Sequence, residues 1–222
     1  MDEQLIKAIC NHIQRHVGRV GDVLHELIPD DPHVDIHIVP PSEKRPFYTL
    51  VTSGMSEHPM SLPEELEGQL TPYAELMLCV PAAWKLHELE DPRWNWPVFW
   101  LRFLAKYSHK SDTWLYVSHT IPNTEDCEPF APDTRLCCWF VREPHAVREA
   151  FHEMRYKDRT IAFLALTAIY RSEMEFALSR EMDSRYGLDQ ALAEAGVTEL
   201  LDPTRPELKL SQLKRHLGKL PS

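Results

Sequence analysis

Apolar residues recur at three- and four-residue steps from position 3 to 28, at Leu5, Ile6, Ile9, Ile13, Val17, Val20, Leu24 and Leu27, which predicts an amphipathic helix ended by Pro29 and Pro32. The period then shortens to two. Residues 34–39 place Val34, Ile36 and Ile38 on one strand face, and the turn-forming PPSEKRP leads into a second β-rich run, 47–52, so the pair predicts a hairpin. Prolines at 59, 63, 72 and 81 break the acidic interval that follows into loops around one apolar strand, 73–80. Residues 94–107 carry Trp96, Phe99, Trp100, Phe103 and Leu104 at helical spacing, with Pro97 near the start, and predict a buried helix.

Two further strands are expected at 113–119 and 135–141, joined by a proline-bearing loop, and the charged run 142–159 is expected to be an exposed connection. Residues 160–170 fit a strand or a short buried helix by length, and their β-branched start together with the helical pattern after them favours a strand. Ser172 is a candidate N-cap for a helix over 172–185, and a second helix over 188–195 is stopped by Gly196. The fold class is α+β, with about six strands flanked by helices, and one domain over 1–222 is the simplest division. Residues 203–222 reverse the acidic balance and form a basic tail, expected to be a docking helix, a partner contact or a frayed end.

Composition narrows the function classes. The 34 acidic residues against 24 Lys and Arg give a formal charge of -10, which repels nucleic acid phosphates. The start of the chain lacks the basic, apolar and small-residue pattern of a secretory signal, and the longest apolar run, 161–170, is too short for a membrane helix. The five cysteines form an odd set without a C-x-x-C pair, which suits reduced thiols in a cytoplasmic location. Cys137 and Cys138 would point to opposite faces of a strand and read as packing residues.

Candidate chemistry is sparse. His12 and His16 have metal-ligand spacing without an intervening catalytic Glu, and His33, Asp35 and His37 share a predicted strand face; both sets read more simply as packing or a polar edge. Ser53-Gly54-Met55-Ser56 offers hydroxyls after a strand, but Gly54 fits a turn needing positive φ, and no nucleophile elbow or phosphate-binding glycine loop occurs. Glu173 and Glu175 sit two apart in a helix, do not share a face, and read as a solvated first turn. Asp112, Trp114, His119 and Asn123 form a compact run best explained by a hydrogen-bonded loop, while an enzymatic alternative would use Asp112, His119 and Glu75 in one cleft. No cofactor or metal is expected.

Taken in order, VDIHIVPPSEKRPFYTLVTSGMSEHPM, YAELMLCVPAAW, WPVFWLRFLAKYSHKSDTWLYVSHTIPN, TRLCCWF and LTAIYRSEMEFAL resemble the suppressor of fused family, in particular its bacterial single-domain branch, over 34–178. The resemblance implies the mixed-sheet fold of the animal protein's N-terminal domain. The animal protein holds Hedgehog-pathway transcription factors by gripping an extended peptide between two domains; the second jaw is missing here, so that ligand is not carried over. For bacterial members it implies a non-catalytic immunity protein that neutralises a toxin encoded nearby, with an interaction subunit of a stable complex as the alternative. The animal peptide-contacting positions fall on Tyr107, Trp114 and Ser118, the last replacing an acidic residue, and His119 lies beside them. Those four residues are the expected partner-binding set.

Overall fold

The computed structural model describes residues 2–26, 31–179 and 183–217. Its first helix, α1 (Glu3–His16), starts where the Asp2 carboxylate accepts hydrogen bonds from the Gln4 and Leu5 amides at 3.0 and 3.1 Å, and it buries Leu5, Ile9 and Ile13. The helix is shorter than the apolar spacing predicts. Beyond Gly18 the chain gains sheet pairing instead, and the short strand β1 (Asp22–Leu24) lies antiparallel to β2 (Asp35–Val39). Leu27, Ile28 and Pro29 lie outside the described residues.

The predicted hairpin forms from β2 and β3 (Phe47–Ser53), and β4 (Ala74–Pro81) pairs antiparallel with β3. Helix α2 (Pro92–Lys110) then crosses one sheet face. The remaining elements are β5 (Thr120–Pro122), β6 (Cys138–Arg142), β7 (Glu153–Tyr156), β8 (Arg159–Ile169), α3 (Arg171–Ala177), α4 (Ser184–Glu194) and α5 (Leu210–Leu213). Among the described residues the sheet has eight strands in the order β1-β2-β3-β4-β8-β6-β5, with β7 also paired to β8. It is mixed because β4 and β8 run parallel while every other pair is antiparallel.

Alternation along the central strands divides the core. Leu76, Leu78 and Val80 of β4 and Leu164 and Leu166 of β8 face the indoles of α2, whereas Met77, Cys79, Phe163 and Ala165 face Leu5, Ile9 and Ile13 of α1. A third cluster joins Cys138, Phe140 and Ile169 to Phe176, Leu188, Leu192, Leu208 and Leu213, so residues of the basic tail pack under α3 and α4.

Several segments depart from the sequence expectation. Residues 142–159 are not one exposed connection: they contain β7, and the Arg142 guanidinium is buried, donating to the Asp189 carboxylate at 2.6 Å and to the Val197 carbonyl at 2.8 Å. Glu173 is not solvated. Its carboxylate is fully buried, pairs with both terminal nitrogens of Arg205 at 2.5 and 2.9 Å, and accepts the Tyr170 and Leu208 amides. Ser172 lies inside α3, which Tyr170 caps, and its hydroxyl bonds Glu207.

Candidate functional site

Two faces of α2 have opposite surroundings. Asp91 caps the helix by accepting the Arg93 amide at 2.9 Å, and Trp96, Trp100, Leu101, Leu104 and Ala105 are then buried on the sheet. Phe99, Phe103 and Tyr107, four residues apart, fall on the outer face and are 53%, 42% and 39% exposed. Their rings form a ladder, with Phe99 and Phe103 centroids 5.9 Å apart and Phe103 and Tyr107 centroids 5.8 Å apart, each pair stacked. The expectation that Phe99 and Phe103 belong to a buried helix is therefore wrong for those two residues. Trp96, Trp100 and Leu104 repeat at the same four-residue spacing on the buried face, so the sequence carries no signal that separates the two rows.

Immediately after α2 the backbone reverses at Asp112, φ 49°, while the Thr113 amide donates to the Ser108 carbonyl at 2.9 Å. Residues 113–119 do not form the expected strand. Ser118 adopts a left-handed conformation, φ 71°, and its amide donates to the Val141 carbonyl at 2.8 Å; the Val141 amide returns to the His119 carbonyl at 2.9 Å. The pairing becomes regular only in β5, the last strand of the sheet order, opposite β6.

The structure brings Trp114 and His119 together: their rings meet edge to face with centroids 5.5 Å apart. Trp114 is half-buried against the α2 side of the core. The His119 imidazole is held below its ordinary pKa by burial, and the positive charge of Arg185 adds to the effect. Ser118 is joined to this pair through the chain, whereas the ring neighbour of Tyr107 is Phe103, so the ladder and the Trp114–His119 corner are two features at opposite ends of one turn.

The enzymatic alternative loses one of its two carboxylates. Glu75 is fully buried, where Thr52 Oγ and Ser56 Oγ each donate to it at 2.6 Å and the Gly54 and Ser56 amides donate at 3.0 Å. It therefore faces no cleft, and burial pushes its pKa up despite four donors. Gly54 has φ 112°, and a Cβ there would sit 1.9 Å from the His33 carbonyl oxygen, so the turn requires glycine. Asp112 bonds the Ser61 hydroxyl.

The histidine sets also serve the fold. His12 Nε2 lies 3.0 Å from the Phe151 carbonyl and the ring stacks on Phe151 and Phe163; His16 lies beside it. Asp35 is shared by His25 at 2.9 Å and His33 at 3.1 Å, while His37 turns to Ser53 Oγ at 3.0 Å. His25 escaped the sequence reading because it comes from outside the strand. Among the described residues no three His, Cys, Asp or Glu side chains are arranged to hold a metal ion, and no helix is long and apolar enough to cross a membrane.

The sequence pattern of the suppressor of fused protein (SUFU) family matches residues 30–206. The chain belongs to the SUFU family. Its fold is similar to that of a SUFU homologue from Neisseria gonorrhoeae, with a TM-score of 0.59 and 17% identity over 92% of this chain and 96% of that one. The SUFU protein of the Sufu-Fu complex gives a TM-score of 0.60 and 17% identity over 90% and 91% of the two chains. Drosophila Suppressor of Fused gives 0.58 and 15%, and there this SUFU chain covers only 49% of the other protein. No curated protein matches it by sequence.

Proposed function

We propose that this SUFU chain is a non-catalytic protein-binding domain whose partner docks on the Phe99–Phe103–Tyr107 ladder and the corner formed by Trp114, Ser118 and His119. The observation that carries this reading is the ladder: three large apolar rings, stacked on one another and left in solvent. Contiguous exposed aromatics are unusual on a monomer and are the side chains that anchor interfaces. The edge position of β5 supports the same reading, because an edge strand offers main-chain groups to an extended peptide. A SUFU protein of similar fold is known in complex with Fu.

The partner we infer is a toxin encoded nearby, neutralised in the cytoplasm by stoichiometric binding. The formal charge of -10 supports steering towards a basic toxin. Co-expression with the neighbouring gene product tests this: wild type should restore growth and co-purify with that product. Trp114→Ala should lose both effects while its thermal midpoint stays near wild type. Killing that continues despite soluble wild-type protein would reject the toxin reading, and a collapse of stability in Trp114→Ala would mark the indole as core.

A further inference from the structure

Cys127 and Cys137 are ten positions apart, yet their sulfurs lie 2.8 Å from each other in the buried floor beneath α3, with Met174 Sδ at 4.0 Å from Cys127 Sγ. Hydrogen bonds on both sides fix this approach. The Asn123 amide donates to the Cys137 carbonyl at 2.8 Å, and the Phe130 amide donates to the Leu136 carbonyl at 2.9 Å, so the excursion leaves and rejoins the lead-in to β6. Within it the Cys127 amide donates to the Thr124 carbonyl at 2.9 Å, and a left-handed φ of 53° tips the sulfur inward. Cys138, the next residue along, is buried in the same cluster and donates to the Trp139 carbonyl at 3.4 Å.

We propose that Cys127 and Cys137 are a thiol–disulfide modification site that takes a low-molecular-weight disulfide as oxidant. The separation needs to shrink only to the bonded length of about 2.05 Å. Although Cys127 itself is buried, its neighbours Asp126 and Glu128 are exposed, so opening this one turn gives a reagent access while the sheet stays paired. The Cys127 thiolate attacks one sulfur of the small disulfide; that S–S bond breaks and its other half leaves as a thiol. Cys137 then attacks the Cys127 sulfur, gives up its proton, and displaces the second small thiol. Two protein thiols are oxidised, one small disulfide is reduced to two thiols, and the excursion following β5 becomes covalently tied to the residue that leads into β6.

The test equilibrates the full chain in glutathione buffers of increasing oxidised fraction, quenches with an alkylating reagent, and maps peptides by mass. The expected product has two fewer alkylatable thiols out of the five present, one peptide pair joined through Cys127 and Cys137, and full reversal by dithiothreitol. Cys138→Ser should form the same bond, and Cys137→Ser should stop at a glutathione adduct on Cys127. Survival of all five thiols across the series, or a bond from Cys127 to Cys138 or Cys10 in place of Cys137, overturns the proposal. The wild-type map decides the matter even if a variant fails to fold.

Discussion

Glu75 is a carboxylate whose role depends on its burial. Sequence shows an acidic residue inside an apolar strand, but its donors come from Thr52, Gly54 and Ser56, 19 to 23 positions earlier, and only the β3–β4 register brings them to it. Glu75→Ala removes the acceptor and leaves buried hydroxyls and amides without partners, each costing about 1–3 kcal/mol. The variant should lose about 3 kcal/mol or more in urea unfolding, with a smaller loss in Glu75→Gln, which keeps one acceptor and the side-chain shape. A near-neutral Glu75→Ala would mean that the β3 turn satisfies itself without the carboxylate. The buried Arg205–Glu173 pair escaped the sequence reading for the same reason: its partners are 32 positions apart.

At the scale of elements, what could be read from sequence was what local pattern decides. β8 follows from its β-branched start, the β2–β3 hairpin from alternation around a turn, and α2 from its period. Three-residue β1 and β5 are too short to show a period, and β7 is hidden by its charges, because half of it faces water. Residues 113–119 look like a strand because they are aromatic and β-branched, but the left-handed turn at Asp112 is closed on Ser108 at the helix end, and that at Ser118 depends on a hydrogen bond to distant Val141. The side of α2 that faces out was hidden as well, since aromatics occupy both faces and only packing against the sheet distinguishes Trp100 from Phe103. Phe103→Ser should therefore lose less than about 1 kcal/mol in chemical denaturation, whereas Trp100→Ala should lose about 3–5 kcal/mol. If both variants lose stability alike, the ladder is part of the core and is not a docking face. Loss of partner binding in Phe103→Ser at retained stability would place the contact on this helix.

For the whole molecule, the buried imidazoles set the response to acid. His12, His37, His109 and His119 are all held below their ordinary value of 6.5, in each case chiefly by burial. An unfolded chain protonates these rings near 6.5 while the folded chain keeps them neutral to lower pH, so the unfolded state binds more protons. Their contribution to stability is complete above the unfolded value and is lost as pH falls through the folded values. Glu75 acts in the opposite sense: its raised pKa gives stability that is complete below the ordinary value of 4.5 and lost as pH rises through the folded value. Protonation also lowers the net charge of -10 and relieves surface repulsion, but that term is screened by salt, whereas the buried rings are not. At about 0.15 M salt, the unfolding free energy from urea titrations, and with it the midpoint, should fall steadily between about pH 6.5 and pH 5, the free energy by up to about 1.4 kcal/mol per pH unit for each ring that stays neutral in the fold. His37→Gln should flatten that slope, because His37 is 3% exposed and, among the described residues, its Nδ1 has no hydrogen-bond partner to stabilise a charged ring. A midpoint that stays level over this window, or rises, would show that these histidines take up protons without unfolding.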